Sequence, residues 1–269
     1  MLYERSGSGT GLLLIPGLGC DKRIWPPDLV AAFSRRHDVI RLDNRGVGTG
    51  DERRGPCSIS QMADDAAELL GVLAIPQVHV LGWSMGGMIA MELAIRYPSK
   101  VTGVVVASAI PEADAWMKAK QSFNQKLAAL PIEVDALREL IARMNMSWMF
   151  AAGFFDNEGR ADTILALMKA GDFPLDVYRW QSQALQNHNA TAGLGSVKSR
   201  SLVIVGKEDI LTPLRYSRAI VAALPRSELL IIDGCGHALL FEKTEQFGAA
   251  VLDFLAQVDT EGSPASPGQ

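Results

Sequence analysis

One short segment, Gly82-Trp83-Ser84-Met85-Gly86, constrains the fold of this chain more than any other part of the sequence. An apolar run at residues 78–81 precedes it, and a helix-like stretch at 85–96 follows it and stops before a proline. The order is therefore strand, sharp turn and helix, and the two glycines leave room for a bend that side chains would obstruct. This pattern predicts that Ser84 lies at the tip of the turn, with its hydroxyl in front of the first N–H groups of the helix.

Short apolar runs recur along the chain, with helical stretches between most of them. The runs lie at residues 12–15, 39–42, 78–81, 101–107, 202–205 and 229–232. Strands that are apolar on both faces and alternate with helices are typical of a parallel sheet covered by helices. Ser60 is the expected N-cap of a helix over residues 60–73. With 269 residues, 48% of them hydrophobic, the chain is expected to form one α/β domain that carries an insertion.

The short apolar runs typical of strands do not recur between about residues 110 and 196. In this segment the sequence predicts helices at 115–130, 133–145, 161–170 and 174–186. We interpret residues 111–195 as a helical cap inserted into an α/β core that comprises residues 1–110 and 196–258. The cap is rich in tryptophan and methionine, which favours an apolar pocket over the site. Residues 259–269 are rich in Gly, Ser and Pro and are expected to form a disordered tail.

A serine hydroxyl attacks carbonyl groups only when a base takes its proton, and the chain has four histidines. His237 is the natural base, because the glycines of Asp233-Gly234-Cys235-Gly236-His237 permit a loop to carry the imidazole over the end of the sheet. His37 lies in a charged turn and His79 inside an apolar run, so surface or structural roles suit them better. His188 suits a surface position on the cap, with substrate contact as the alternative.

Histidine catalysis also needs an acceptor for the second ring N–H. Asp209 follows the apolar run at 202–205, which places it at the same end of the sheet as His237. Four other carboxylates compete for this role: Glu208, Asp233, Glu112 and Asp114. The oxyanion donors are expected to be backbone N–H groups, one from Met85 and one from Leu18 in the glycine loop after the run at 12–15.

Together these segments resemble the capped α/β-hydrolases over most of residues 10–110 and 200–257. The resemblance implies an α/β-hydrolase fold with an inserted helical cap, a catalytic triad of Ser84, Asp209 and His237, and an oxyanion hole formed by Leu18 and Met85. It also implies a structural turn at 43–48 beside the site. Relatives that dehalogenate substrates or open epoxides use aspartate in place of the serine and are excluded. The matching segments are Gly82-Trp83-Ser84-Met85-Gly86-Gly87, Asp43-Asn44-Arg45-Gly46-Val47-Gly48, Gly206-Lys207-Glu208-Asp209, and Gly236-His237 followed by Glu242.

The chain departs from the family pattern at three places, none of which touches the triad. Pro16-Gly17 stands where His-Gly is common ahead of the oxyanion loop. Gly50 stands where serine commonly closes the turn that contains Arg45 and Gly46. The usual first strand is expected to be mostly missing ahead of residues 2–4.

The expected function is hydrolysis of a small carboxylic ester or lactone through an acyl-enzyme, with no metal ion and no other cofactor. The substrate pocket is expected to include Trp25, Trp83, Trp148, Phe154 and Leu239. Other activities of similar hydrolases stay open: 3-oxoadipate enol-lactone hydrolysis, carbon–carbon bond hydrolysis, and cofactor-free haloperoxidase or perhydrolase chemistry. A non-catalytic ligand receptor on the same fold is the alternative from a different class.

Composition narrows the partners and the compartment. The net charge of −4 and the scattered Lys and Arg residues give no basic patch for nucleic acid or an anionic membrane. The N-terminus lacks an apolar signal region, and no apolar stretch reaches the roughly 20 residues that span a bilayer, so we expect a cytoplasmic protein. Cys20, Cys57 and Cys235 are expected to be free thiols. The expected partner is the small-molecule substrate, and a homodimer stays open.

Overall fold

A seven-stranded sheet lies at the centre of the protein. The computed structural model of the chain describes residues 2–47, 55–130, 134–157, 159–170 and 174–262. The strands follow the spatial order β1-β3-β2-β4-β5-β6-β7, and every neighbouring pair is parallel except β1 with β3. The predicted mostly parallel sheet flanked by helices is confirmed. The strands are β1 Tyr3–Gly7, β2 Thr10–Ile15, β3 His37–Leu42, β4 Val78–Trp83, β5 Val101–Ala107, β6 Arg200–Gly206 and β7 Ser227–Ile232.

The first strand corrects the expectation that this part of the family pattern is mostly missing. β1 pairs antiparallel with β3 from Tyr3 opposite Leu42 to Gly7 opposite Asp38. Most of its residues are exposed, as is common for an edge strand, so it carries no apolar run for a sequence pattern to detect. His37 begins β3 and is buried, rather than lying in a charged turn.

Helices cover both faces of the sheet and fill the segment between β5 and β6. Two short 3-10 helices, Lys22–Ile24 and Ala152–Asp156, accompany them. The α-helices are α1 Pro27–Ser34, α2 Ile59–Val72, α3 Met85–Arg96, α4 Ala115–Leu127, α5 Val134–Met149, α6 Arg160–Ala170, α7 Leu175–Gln186, α8 Thr191–Leu194, α9 Leu214–Ala223, α10 Leu239–Glu242 and α11 Thr244–Gly262.

Helices bury the central strands on both faces of the sheet. Successive side chains of a strand point to opposite faces, so they pack against different helices. In β2, Leu13 and Ile15 pack on one face with residues of α2 and α3. Leu12 and Leu14 pack on the opposite face with residues of α1 and α11. α3, the helix that follows Ser84, is buried along most of its length, as its apolar composition predicts.

Two helix ends differ from the expectation. The N-cap of α2 is Ser58 and not Ser60: Ser58 Oγ accepts the N–H of Gln61, and the Gln61 side chain accepts the N–H of Ser58. The last helix continues to Gly262, so residues 259–262 are helical and not part of a disordered tail. Residues 263–269 lie outside the described residues, and so do Gly48 and Gly50, on which part of the family pattern rests.

Within the part of the chain that is described, no helix is both long enough and apolar enough to cross a bilayer.

Candidate active site

Ser84 lies on a strained turn between β4 and α3. Its backbone has φ 57° and ψ −121°, a conformation with positive φ that costs a non-glycine residue free energy and that clusters at functional sites. A Cβ atom at Gly82 would overlap the backbone of Gly86, and one at Gly86 would overlap the carbonyl group of Ile15. The turn predicted from the glycine spacing is therefore present, and it can form only because both glycines lack side chains.

The structure brings Ser84, His237 and Asp209 into one hydrogen-bonded line. Ser84 Oγ lies 3.0 Å from His237 Nε2, and His237 Nδ1 lies 2.9 Å from Asp209 Oδ2. His237 is 1% exposed and Asp209 is 4% exposed, so the line is shielded from water except near the serine. With the proton on Nδ1 donated to Asp209, Nε2 is free to accept the proton of the Ser84 hydroxyl.

The environment of Asp209 keeps its carboxylate ionised. Burial alone would raise the pKa of this carboxyl, but the neighbouring His237 and the hydrogen bonds from Thr212 lower the pKa to about 2. Thr212 donates its backbone N–H to Oδ1 at 2.7 Å and its hydroxyl to Oδ2 at 2.7 Å. The sequence reasoning missed Thr212; its signal is a threonine three residues after the aspartate, the spacing of a local side-chain turn.

The competing carboxylates do not contact His237. Glu208 is exposed, and Asp233 pairs with Lys207 on the surface. Glu112 accepts a hydrogen bond from Asn189, whereas Asp114 caps α4 by accepting the N–H of Met117.

The other three histidines are also buried. His79 lies between Thr102 and Asp259, at 2.9 Å from each, so it ties β4 to β5 and to α11. His188 is 5% exposed, which corrects the expected surface position, and it does not line the active-site cavity. Burial lowers the pKa of His188 to about 4, so the ring is neutral at physiological pH.

The glycine loop after β2 lies directly against Ser84. A Cβ atom at Gly17 would lie 3.2 Å from Ser84 Cβ, and Leu18 lines the same cavity as the serine hydroxyl. The next residue is held from α7, because Gly19 donates its N–H to Gln181 Oε1 at 2.8 Å. Ser84 therefore has Met85, the first residue of α3, next to it along the chain and the loop of Gly17 and Leu18 beside it in space.

Two side chains that the sequence reasoning missed support this loop. Gln181 is 1% exposed, and its Nε2 donates to the carbonyl of Arg45 at 3.2 Å while its Oε1 accepts from Gly19. Asn44 Nδ2 donates to the carbonyl of Pro16 at 2.9 Å. These contacts connect the glycine loop after β2 to Asn44 and Arg45, and no sequence spacing indicates them because the partners lie far apart along the chain.

A cavity of about 330 Å³ opens onto Ser84 and His237. Of the predicted pocket residues, Trp83 and Trp148 line it. Trp25, Phe154 and Leu239 do not: Trp25 and Leu239 are buried in the core beside α1 and α11, and Phe154 stacks on Phe150 at 4.7 Å. Leu18 and the cap methionines Met117 and Met149 line the cavity as well. Further apolar lining comes from residues that the sequence reasoning did not single out: Met88, Ile141, Ile164, Leu185, Leu211 and Phe241.

A cation lies beside this cavity. Lys120 Nζ is 4.5 Å from the ring centre of Trp148 and 5.0 Å from that of Trp116. Burial lowers the pKa of Lys120 to about 8, although the negative charge of Asp209 opposes the shift. This lysine therefore loses part of its charge in mildly alkaline solution.

The site offers neither a metal centre nor a reactive thiol within the described residues. No group of three or more His, Cys, Asp or Glu side chains there is arranged to hold a metal ion. Cys20 lines the cavity, but burial raises the pKa of its thiol to about 12, so the thiolate is scarce at neutral pH. Cys20, Cys57 and Cys235 are free, as predicted.

Known proteins resemble this chain over nearly its whole length. A family model described as the alpha/beta hydrolase fold matches residues 11–244. RutD of Variovorax paradoxus (strain S110), which bears the name of a carbamate hydrolase, is 29% identical over 98% of both chains. BpoC of Mycobacterium tuberculosis (strain H37Rv), which bears the name of a non-heme bromoperoxidase, is 29% identical over 96% of this chain and 98% of its own. The crystal structure of the enol-lactonase from Burkholderia xenovorans LB400 aligns with a TM-score of 0.84 at 23% identity, covering 95% of this chain and 96% of that one.

Proposed function

Because the chain belongs to the α/β-hydrolase fold family, we propose that it hydrolyses a small carboxylic ester or lactone through an acyl-enzyme on Ser84. One observation carries the proposal: Ser84 Oγ lies 3.0 Å from His237 Nε2, on a strained turn that faces the cavity. A nucleophile within hydrogen-bond reach of a base that is itself oriented by a carboxylate is the arrangement needed for acyl transfer.

In the first half-reaction, Ser84 Oγ attacks the ester carbonyl while His237 Nε2 accepts the hydroxyl proton. Asp209 holds His237 through Nδ1 and stabilises the imidazolium that forms. The backbone N–H groups of Leu18 and Met85 are proposed to receive the negative charge on the carbonyl oxygen. Collapse of the tetrahedral intermediate breaks the bond to the alcohol, which leaves with the proton from His237.

In the second half-reaction, water repeats the sequence on the acyl-enzyme. His237 takes a proton from the water molecule as its oxygen attacks the acyl carbonyl, and the second tetrahedral intermediate forms. When that intermediate collapses, Ser84 Oγ recovers the proton from His237 and the carboxylic acid is released. The net reaction consumes one water molecule and no cofactor. For a lactone, the acid and the alcohol stay in one product.

The cavity supports a small, largely apolar substrate. Its volume of about 330 Å³ lies at the lower end of ligand pockets, and most of its wall consists of Met, Leu, Ile and aromatic side chains. Much of this wall comes from the helical segment between β5 and β6, which we propose acts as the cap of a core formed by the rest of the chain. The cap therefore selects the substrate, while the residues around Ser84 supply the chemistry.

Carbamate hydrolysis is the second candidate, favoured by the relatives that bear the name RutD. The same serine would attack a carbamate carbonyl and form a carbamoyl-enzyme. Carbamate carbonyls are less electrophilic than ester carbonyls, so this reaction places a heavier demand on the oxyanion donors. A substrate series of graded esters, lactones and carbamates separates the two candidates.

The test replaces the nucleophile. Ser84→Ala should lower turnover of p-nitrophenyl acetate and butyrate by about 10⁴-fold to 10⁶-fold, leaving what the oxyanion donors and binding provide. Ser108→Ala is a matched control, because Ser108 also follows a strand and has a positive φ of 48°, yet does not line the cavity. Near-normal turnover by Ser84→Ala, or absence of turnover by the wild type across the whole series, would overturn the proposal.

A further inference from the structure

A polar stretch of the cavity wall on α4 has no part in the proposed chemistry. Gln121 and Asn124 lie on α4, are 5% and 6% exposed, and both line the cavity. Their neighbours along the wall are apolar, including Met117 and Ile141. Two buried amides in such a wall are costly unless their polar atoms are paired.

The protein leaves part of this pair without a partner. Among the described residues, no group forms a hydrogen bond with Asn124 Oδ1. The few other buried side-chain atoms in that condition, such as Trp25 Nε1, His188 Nε2 and Ser217 Oγ, belong to residues that do not line the cavity. Gln121 Nε2 also has a weak acceptor, because it donates to the sulfur of Met117 at 3.5 Å.

The remaining contacts hold the pair in place. Ser182 is fully buried, and its hydroxyl donates to Gln121 Oε1 at 3.0 Å. Asn124 Nδ2 donates to the same oxygen over a longer distance of 3.4 Å. The side chains that hydrogen-bond to the pair are uncharged, and they leave one acceptor, Asn124 Oδ1, and one donor, Gln121 Nε2.

We propose that Gln121 and Asn124 form a subsite for a neutral group that carries both an N–H and a C=O, such as an amide or a carbamate, in the substrate part remote from the scissile bond. The ligand N–H donates to one side chain and its carbonyl oxygen accepts from the other. Exchanging the oxygen and nitrogen of both amides would only reverse the ligand, so the assignment does not depend on their orientation. The proposal rests on the ester or lactone hydrolysis proposed above.

The experiment compares esters that differ in one group. Acyl probes are the p-nitrophenyl esters of N-acetyl-β-alanine and of N-acetyl-γ-aminobutyric acid; an alcohol probe is the acetate of N-acetylethanolamine. Each is paired with the isostere in which CH₂ replaces the amide N–H. In at least one pair, wild-type kcat/KM should favour the amide by about tenfold or more, because the isostere leaves a buried acceptor unpaired. The two kinds of probe show whether the subsite receives the acyl group or the alcohol.

Asn124→Leu should abolish that preference by lowering kcat/KM for the amide ester while leaving the isostere within about twofold. Asn145→Leu is the matched control, since it removes another amide from the same cavity and should keep the preference. Thermal unfolding separates a structural role: Asn124→Leu should leave the melting temperature nearly unchanged, because it removes an unpaired Oδ1 and only the long 3.4 Å contact of Nδ2 with Gln121. Gln121→Met, which keeps the side-chain length, repeats the test if Asn124→Leu fails to fold.

The two proposals fail in different ways. If the wild type turns over every amide ester and its isostere with equal efficiency, the subsite is overturned and ester hydrolysis stands. The same conclusion follows if Asn124→Leu lowers the melting temperature and leaves the preference intact. If the wild type turns over no ester of either kind, hydrolysis itself is overturned.

Discussion

The strained backbone of Ser84 depends on two neighbours that lack side chains. Gly82 lies near the end of β4, and Gly86 lies in the first turn of α3 against the end of β2. Neither has a conformation reserved for glycine; close approach of other backbone excludes a Cβ at both positions. Their requirement is therefore steric and is tied to the geometry that exposes the serine hydroxyl.

Gly86→Ala should lower the free energy of unfolding by about 1 to 3 kcal/mol, because the methyl group forces α3 away from β2. It should also lower kcat for any ester that the wild type hydrolyses. Gly71→Ala is the matched control: Gly71 lies in α2 with nothing within 4 Å of an added Cβ, so alanine should raise stability by about 0.4 to 1 kcal/mol. Urea titrations of the wild type and the two variants measure the changes in stability, and ester hydrolysis assays measure kcat. Equal stability of Gly86→Ala and Gly71→Ala would contradict the steric role of Gly86.

At the scale of single residues, the sequence predicted the groups whose positions follow from the order of the strands along the chain. Ser84, Asp209 and His237 each follow a strand, and strands that run parallel end at one edge of the sheet. Thr212 could also have been found, since it lies three residues from Asp209. Gln181 and Asn124 could not, because their contacts depend on how α4 and α7 pack, which no local pattern encodes.

At the scale of elements, burial decided which predictions succeeded. The strands β2 to β6 have apolar runs because helices cover both faces of the sheet there, whereas the exposed edge strand β1 has none and was missed. β7, the other edge strand, is only partly buried yet keeps an apolar run. For α2 the sequence contains two serines near the helix start. Ser58 is the cap because Gln61, at the third helical position, completes a capping box with it.

Gln181 on α7 connects the helical segment to the glycine loop after β2. Gln181→Met keeps the length of the side chain but leaves the N–H of Gly19 and the carbonyl of Arg45 without this partner. We expect kcat to fall by about tenfold with KM nearly unchanged, because a looser Leu18 N–H weakens binding of the transition state more than of the substrate. Gln183→Met is the control, since Gln183 is exposed on the same helix and its side chain hydrogen-bonds to Gln186 and Asn187. Steady-state kinetics of the wild type and both variants on one ester measure kcat and KM. A change in KM alone for Gln181→Met would contradict the role of Gln181 in holding this loop.

At the scale of the whole molecule, buried groups with lowered pKa values make folding sensitive to acid. Burial lowers the pKa of His188 from 6.5 to about 4, so the unfolded chain binds this proton at a higher pH than the folded protein does. The pKa of His37 is lowered in the same direction and also chiefly by burial. The pKa of Asp209 is lowered from 3.8 to about 2, which extends the same dependence to more acidic solution. Stability is therefore expected to fall in two stages as the pH decreases.

The first stage tests whether His188 stays unprotonated in the folded protein as the pH falls below 6.5. Because the unfolded state gains the proton first, the stability present above pH 6.5 is lost progressively as the pH falls toward 4. One pKa unit corresponds to about 1.4 kcal/mol, so the wild type should lose on the order of 3 kcal/mol through this residue. His188→Gln should lose correspondingly less between about pH 7 and about pH 4.5, and Asn187→Gln, at the exposed neighbour, should follow the wild type. Urea titrations at the two pH values give the difference directly; equal acid sensitivity of wild type and His188→Gln would show that the folded protein accepts the proton at an ordinary pKa.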